Sequence, residues 1–261
     1  MRKIGSLIFS AWVLFWIVLF LLLLFPIFLI IIQKKSWHRF AFYLYKFWSF
    51  FIYIALFSPV KSIWKFKFDK KQAYVFCPNH FSFLDIAIMT RTMKAFFVFV
   101  GMMELQKVPL FGYLYKKIHI GVDRSRARSR LESYNRAKQA IAEGKNLVTF
   151  PEGGIWTAEK DMPLLSPFKN GPFKIAIEMQ VPLVPVTLPY NWKIMPIGSF
   201  HKAGIHRSKI IYHSPIETKG MTLKDVQTLK EKTRQVIDQE LRAHFGTLME
   251  AKEKEKQQAQ N

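Results

Sequence analysis

Ala73-Tyr74-Val75-Phe76-Cys77-Pro78-Asn79-His80-Phe81-Ser82-Phe83-Leu84-Asp85 is the stretch on which the fold turns. Ala73–Cys77 is a short apolar run suited to a buried strand, Pro78-Asn79 breaks it, and Ser82–Arg91 returns to helical spacing. The same alternation continues downstream. Strands are predicted at Phe96–Val100, Ile118–Val122, Asn146–Phe150, Leu183–Leu188 and Lys209–His213, and helices at Ser125–Glu143, Ser166–Met179 and Leu223–Phe245. Asp123 or Ser125 can cap the first of these helices, and Gly144 closes it. Strands alternating with helices predict an α/β fold whose sheet is covered on its faces. Chemistry in such folds gathers in the loops that follow strands. Asn79–Asp85, Asp123-Arg124 and Pro151–Gly154 all sit in such loops, so one shared site is expected.

Upstream the chain has another character. No charged residue occurs from Ile4 to Ile32; Arg2 and Lys3 precede the run, and Lys34 and Lys35 follow it. This exceeds the ~20 apolar residues needed to span a bilayer, so a membrane helix is expected, tilted or bent at Pro26. A secretory signal would have a shorter apolar core and a small-residue cleavage site. The aromatic stretch Trp37–Phe57 is interrupted by Arg39 and Lys46, cations costly at mid-bilayer, and reads as an interfacial or half-buried helix. Trp37, Tyr43, Tyr45, Trp48 and Tyr53 suit the headgroup boundary. The expected organisation is an anchoring segment at 1–60, a catalytic domain at 61–246 and a charged, flexible tail at 247–261. Cations flank both ends of the first run, so charge gives no clear orientation for a single span, and a hairpin-like or monotopic anchor is predicted.

The net charge of +21, from 39 Lys and Arg against 18 Asp and Glu, calls for an anionic partner: membrane surface, acidic carrier protein or nucleic acid. The cations are spread along the chain and no helix-turn-helix, zinc-finger or RNA-binding motif appears, which argues against nucleic acid. The single cysteine, Cys77, rules out an internal disulfide and lies in an apolar run, as a small buried hydrophobe would. His201, His206 and His213 lack ligand spacing with acidic partners, and His119, between two isoleucines, reads as the other face of a strand; no metal site is expected. Gly153-Gly154 lacks the later Gly-Lys-Ser/Thr of a P-loop.

His80 and Asp85 carry the chemistry. An imidazole accepts a proton near neutral pH. A carboxylate five residues on, across a turn entering a helix, can reach its far nitrogen, fix the tautomer and stabilise the imidazolium. A His–Asp pair can also be merely structural, satisfying a turn or a core polar contact.

Asn79-His80 followed by Asp85 resembles the NHxxxxD signature of the glycerolipid acyltransferases, the lysophosphatidic acid acyltransferase family. Three further blocks occur in that family's order: Ile120-Gly121-Val122-Asp123-Arg124, Phe150-Pro151-Glu152-Gly153 and Val181-Pro182-Leu183-Val184-Pro185-Val186. The resemblance covers about Ala73 to Leu188 and the hydrophobic N-terminal region. It implies a mixed sheet flanked by helices, and transfer of an acyl chain from a thioester to a lysophospholipid hydroxyl. The acceptor so implied is 1-acyl-sn-glycerol 3-phosphate, giving phosphatidic acid, with acyl-CoA or acidic acyl-carrier protein as donor and no further cofactor. In this reading His80 is the general base and Asp85 orients it. Arg124 contacts the acceptor phosphate, Glu152 and Gly153 shape the acceptor site beside Asn79, and the fourth block forms a buried floor. Activated donors are made in the cytosol, so the catalytic domain is expected on the cytoplasmic side of the membrane, the inner membrane in a bacterium.

Two positions depart from the family pattern. Gly154-Ile155-Trp156 stands where the third block commonly continues with Thr and then Arg or Ser, and Met102-Met103 replaces a frequent lysine before Glu104-Leu105. A headgroup cation is thus missing, which keeps another acceptor, such as a lyso-amino-lipid, in view. Lys169 and the series Arg124, Arg126, Arg128, Arg130 could compensate. On a helix, residues two apart diverge, so these four arginines cannot all face one phosphate. A non-catalytic module binding anionic lipid is the remaining alternative; it leaves the ordered blocks unexplained.

Overall fold

The computed structural model describes residues 2–157, 161–197 and 200–258. Among the described residues, seven strands form one sheet: β1 (Val60–Trp64), β2 (Val75–Pro78), β3 (Phe97–Met102), β4 (Ile120–Val122), β5 (Asn146–Thr149), β6 (Leu183–Thr187) and β7 (Ser208–Tyr212). Their spatial order is β1-β7-β6-β2-β5-β3-β4. Neighbours are parallel except β6 and β7, so the sheet is mixed. The helices are α1 (Arg2–Ile31), α2 (His38–Ala55), α3 (Leu84–Thr92), α4 (Phe111–Ile118), α5 (Ala127–Ala142), α6 (Gly171–Glu178), α7 (Asn191–Ile194) and α8 (Val226–Gln258).

The central strand region shows why the chain folds this way. Tyr74 and Phe76 point into one apolar layer, with Ile52 and Tyr53 of α2 and Ile88 and Met89 of α3. Ala73, Val75 and Cys77 point into the opposite layer, with Ala137 of α5, Phe173 of α6 and Leu229 of α8. This is the period-two alternation of a strand buried on both faces. Cys77 is buried and burial pushes its thiol upward, so it fills core.

Several elements differ from the sequence reading: α4 and α7 were not expected, and the helix predicted from Ser166 begins only at Gly171. β1 was not expected, because Lys61 and Ser62 break its apolar pattern; it lies at the sheet edge, paired in parallel with β7 from Val60↔Ser208 to Trp64↔Tyr212. The predicted strand Ile118–Val122 begins two residues later, because Ile118 ends α4. His119 follows as its cap residue, and its Nδ1 accepts the Phe99 amide at 3.2 Å. Burial lowers His119 to about 3, which makes it a neutral structural imidazole.

The 247–261 tail is helical as far as Gln258: the helix kinks at Phe245 (φ −141°) and resumes, with Met249 buried and Arg242 Nη2 donating to Glu253 Oε1 at 2.6 Å. Residues 259–261 lie outside the described residues.

Among the described residues one helix, α1, is long and apolar enough to cross a membrane, and it runs through Pro26. It packs antiparallel to α2: Trp12 Nε1 donates to Ala55 O at 2.9 Å near one end, and Phe28 meets Tyr45 near the other, ring centroids 4.6 Å apart. The hairpin leaves Trp12, Phe15, Val18 and Leu22 of α1 exposed, together with Phe40, Tyr43, Phe47, Phe50 and Ile54 of α2. The α2 set recurs at alternating three- and four-residue steps, the spacing of one helix face. Tyr45 and Tyr53, expected at a headgroup boundary, are instead buried against the protein, since they lie on the inner face. Lys46 also faces inward, its Nζ donating to Met93 O at 2.9 Å. With Ser49 Oγ to Ala87 O (2.6 Å) and Tyr53 Oη to Leu84 O (3.2 Å), it ties the hairpin to α3.

Candidate active site

The C-terminal ends of β2, β3, β4, β5 and β6 point the same way, and their following loops converge. His80 follows β2. Its Nδ1 faces Asp85 Oδ2 at 3.0 Å, where the carboxylate accepts. In the neutral ring this bond places the proton on Nδ1 and leaves Nε2 as the acceptor. Asp85 sits in the first turn of α3, 0% exposed, and would be costly there if unpartnered. It is partnered fully: Oδ2 also accepts the amides of Phe81 (2.8 Å) and Ser82 (2.9 Å), and Oδ1 accepts Asn191 Nδ2 (2.8 Å). Asn191 is itself held by Ser208 Oγ, which donates to its Oδ1 at 2.6 Å. The carboxylate thus nucleates the turn that presents His80 as well as orienting the ring. Phe150 stacks on the imidazole, centroids 3.8 Å apart at 16°.

Glu152 holds His80 from the backbone side. Its Oε1 accepts the His80 amide at 2.8 Å and its Oε2 accepts the Ser166 amide at 2.8 Å. Burial pushes its carboxyl up to about 7, against those two amide bonds, which favour the ionised form. Expected to contact substrate, Glu152 is instead fully buried and engaged with main chain. Asn79 is likewise buried rather than substrate-facing: its Nδ2 donates to Leu188 O (3.1 Å) and its Oδ1 accepts the Leu188 amide (2.7 Å). The pair extends the β2–β6 ladder by one rung, which a backbone-mimicking amide does well.

His80 lines a cavity of about 460 Å³ whose other walls include Phe83, Ile86, Phe99, Leu105 and Trp156. The Gly154–Trp156 departure now has a structure. A Cβ on Gly154 would lie 2.7 Å from the Trp156 ring, so the indole folds over this glycine and Ile155 and Trp156 supply apolar wall. Gly153, at φ +87°, also lines the cavity, with Arg124 Nη1 so close that an added Cβ would lie 2.6 Å from it.

Arg124 and Gly153 also line a second cavity of about 420 Å³, and there Arg130 and Lys169 join them. Arg126 and Arg128 do not. Arg126, the extended cap residue before α5, pairs with Asp123 at 3.2 Å, and Arg128 in its first turn with Glu132 at 2.7 Å, both on the exposed surface. Of the residues expected at the site, His80, Asp85, Arg124, Gly153 and Lys169 are brought together, while Asn79 and Glu152 support them. Asn191, Ser208, Phe150 and Trp156 were not anticipated in these roles. The position of Asn191, four residues past the end of β6 and among the segments that follow strand ends, was the available signal.

Comparison with known proteins follows the same geometry. Residues 61–189 match the family model described as Acyltransferase. The chloroplastic 1-acyl-sn-glycerol-3-phosphate acyltransferase of Brassica napus is 33% identical over 143 residues, covering 54% of this chain and 40% of that protein. The 1-acyl-sn-glycerol-3-phosphate acyltransferase of Saccharomyces cerevisiae is 28% identical over 174 residues, 64% of this chain and 55% of that protein. The chain thus spans well under two thirds of these relatives' lengths. The crystal structure of the 1-acyl-sn-glycerophosphate acyltransferase of Thermotoga maritima shares the fold, with a TM-score of 0.78 at 19% identity, over 93% of this chain and 97% of that one. Residues 61–189 thus form a domain of the acyltransferase family.

Proposed function

We propose that this protein is a membrane-associated O-acyltransferase that moves a fatty acyl group from an acyl thioester to the free hydroxyl of 1-acyl-sn-glycerol 3-phosphate, giving phosphatidic acid. The observation that carries the reading is a base-competent His80 Nε2 at the wall of an apolar cavity, beside a cation, Arg124. Nε2 takes the hydroxyl proton as the oxygen attacks the thioester carbonyl. The tetrahedral intermediate collapses, the C–S bond breaks, and the imidazolium returns the proton to the leaving sulfur. Asp85 stabilises the imidazolium formed in between. Arg124 holds the acceptor phosphate, for which a guanidinium fork is suited. The apolar cavity accommodates acyl chain, and the exposed faces of α1 and α2 rest in the lipid from which the acceptor comes. Donor synthesis places this domain on the cytosolic side.

The Gly154–Trp156 wall favours one second reading, an acceptor with a headgroup other than a phosphomonoester, since that wall supplies no cation. Both are tested with the purified full chain in detergent, offering acyl-CoA and acyl-carrier protein donors against several lysolipids. Fastest transfer to 1-acylglycerol 3-phosphate is expected. Faster transfer to an amino-headed or choline-headed lysolipid selects the second reading, and an intact thioester with every acceptor removes both.

A further inference from the structure

The second cavity contains more positive charge than the acceptor needs. Arg124, Arg130 and Lys169 line it, Ser133, Tyr134 and Thr149 add polar groups, and among the described residues no Asp or Glu lines it. Arg130 Nη1 donates to Arg124 O at 2.7 Å, which holds the two guanidiniums in one neighbourhood. The Lys169 amide donates to Pro151 O at 2.8 Å, rooting this lysine beside the Pro151–Gly153 turn. Among the described residues neither Arg130 nor Lys169 has a carboxylate partner. The cavity also takes in Gly171 and Pro172, the first turn of α6, whose cap residue Asn170 makes no capping bond and accepts Lys230 Nζ instead. Three like charges and an uncapped helix start around one space repel each other unless an anion enters.

Reach decides which anion. In a 1-acylglycerol 3-phosphate the free hydroxyl and the phosphate sit on adjacent carbons, so the phosphate must stay close to the oxygen held at His80. Arg124 lines both cavities and satisfies this; Arg130 and Lys169 line only the second. The acyl donor is the other phosphate-bearing substrate. In acyl-CoA and acyl-carrier protein alike, the thioester sulfur ends a pantetheine arm whose far end carries a phosphate. The two cavities share Val100, Arg124, Phe150 and Gly153, a strip along which such an arm could run from the His80 side. We infer that the second cavity seats the phosphopantetheine arm of the donor, with Arg130 and Lys169 on its phosphate and Arg124 left to the acceptor. This rests on the acyl-transfer reading and assigns Lys169, expected to assist the acceptor headgroup, to the other substrate.

The test uses the full chain in detergent carrying Arg130→Gln, Lys169→Gln or both, with Arg130→Lys and Lys169→Arg as charge-conserving controls. The double variant is expected to raise the KM for acyl-CoA at least about tenfold, with the acceptor KM moving less than about twofold and the controls partly restored. An acyl N-acetylcysteamine thioester, which has no phosphate, supplies a second readout: the KM advantage of acyl-CoA over it should shrink by about the same factor in the double variant. A rise in acceptor KM instead, or an equal loss with the phosphate-free donor, would overturn the assignment. Binding of CoA to the His80→Ala chain, measured by calorimetry with and without the two cations, needs no turnover and separates the claims. CoA bound equally well without the cations defeats the site. Cation-dependent CoA binding by a chain whose parent transfers no acyl group defeats the acyl-transfer reading and leaves the site standing.

Discussion

His80→Ala is expected to lower kcat by about 10²–10⁴-fold while leaving the apparent KM for either substrate nearly unchanged. The ring's only side-chain hydrogen bond among the described residues is to Asp85, so its removal takes away the base and leaves the turn, which Asp85 holds through the Phe81 and Ser82 amides. Asp85→Asn is expected to lower turnover steeply as well, by loss of charge more than of shape. Its amide could keep an oxygen toward His80 and the two main-chain amides. Its new NH2 would then face Asn191, which can flip because the Ser208 hydroxyl can reverse from donor to acceptor. The imidazolium, though, would form beside a neutral group. Because the two residues act as one device, the double variant should be little worse than the worse single one. Losses that multiply instead would show two independent contributions and refute the dyad.

Arg124→Ala carries the second large effect. A charged, bidentate contact to phosphate contributes about 1.5–3 kcal/mol, so kcat/KM for 1-acylglycerol 3-phosphate should fall about 10–100-fold, mostly through the acceptor KM. Lysine at this position should restore only part of the loss, because it lacks the planar fork. The control is built into the acceptor. With a lysolipid lacking the phosphomonoester, the same variant should lose little, and an equal loss there would mean that Arg124 serves the fold or the donor. Packing against Gly153 places the guanidinium at the boundary of both cavities, so the acceptor comparison is needed to separate these roles.

The dyad was legible in the sequence because its geometry is local: a five-residue step from a turn into a helix places the carboxylate under the ring. The strand alternation around Val75 was legible for the same reason, since period two is a property of neighbouring residues. What could not be read is long-range. Glu152 binds the His80 amide across 72 residues, and Asn191 reaches Asp85 across 106. Nothing in the third block distinguishes a carboxylate that meets ligand from one that meets a backbone amide. Separating Arg130 from Arg126 and Arg128 needed the start of α5, because a shift of one residue rotates every side chain by about 100°. β1 was hidden because it is an edge strand with polar residues along it, and its pairing with β7 is contributed from the far end of the chain.

The central claim is that His80 activates the acceptor hydroxyl for direct attack on the thioester, with no acyl group passing through the protein. The neighbouring nucleophiles agree with this: Ser82 Oγ donates to Met195 O at 2.9 Å, and Cys77 lies buried with its thiol pushed upward. The most direct measurement is intact-protein mass spectrometry during a single turnover, with stoichiometric acyl-CoA added first without acceptor and then with 1-acylglycerol 3-phosphate. The predicted result is an unchanged protein mass before the acceptor arrives and phosphatidic acid afterwards, formed by the parent chain and not by His80→Ala. A protein heavier by one acyl group, formed and discharged as fast as turnover, would contradict the account.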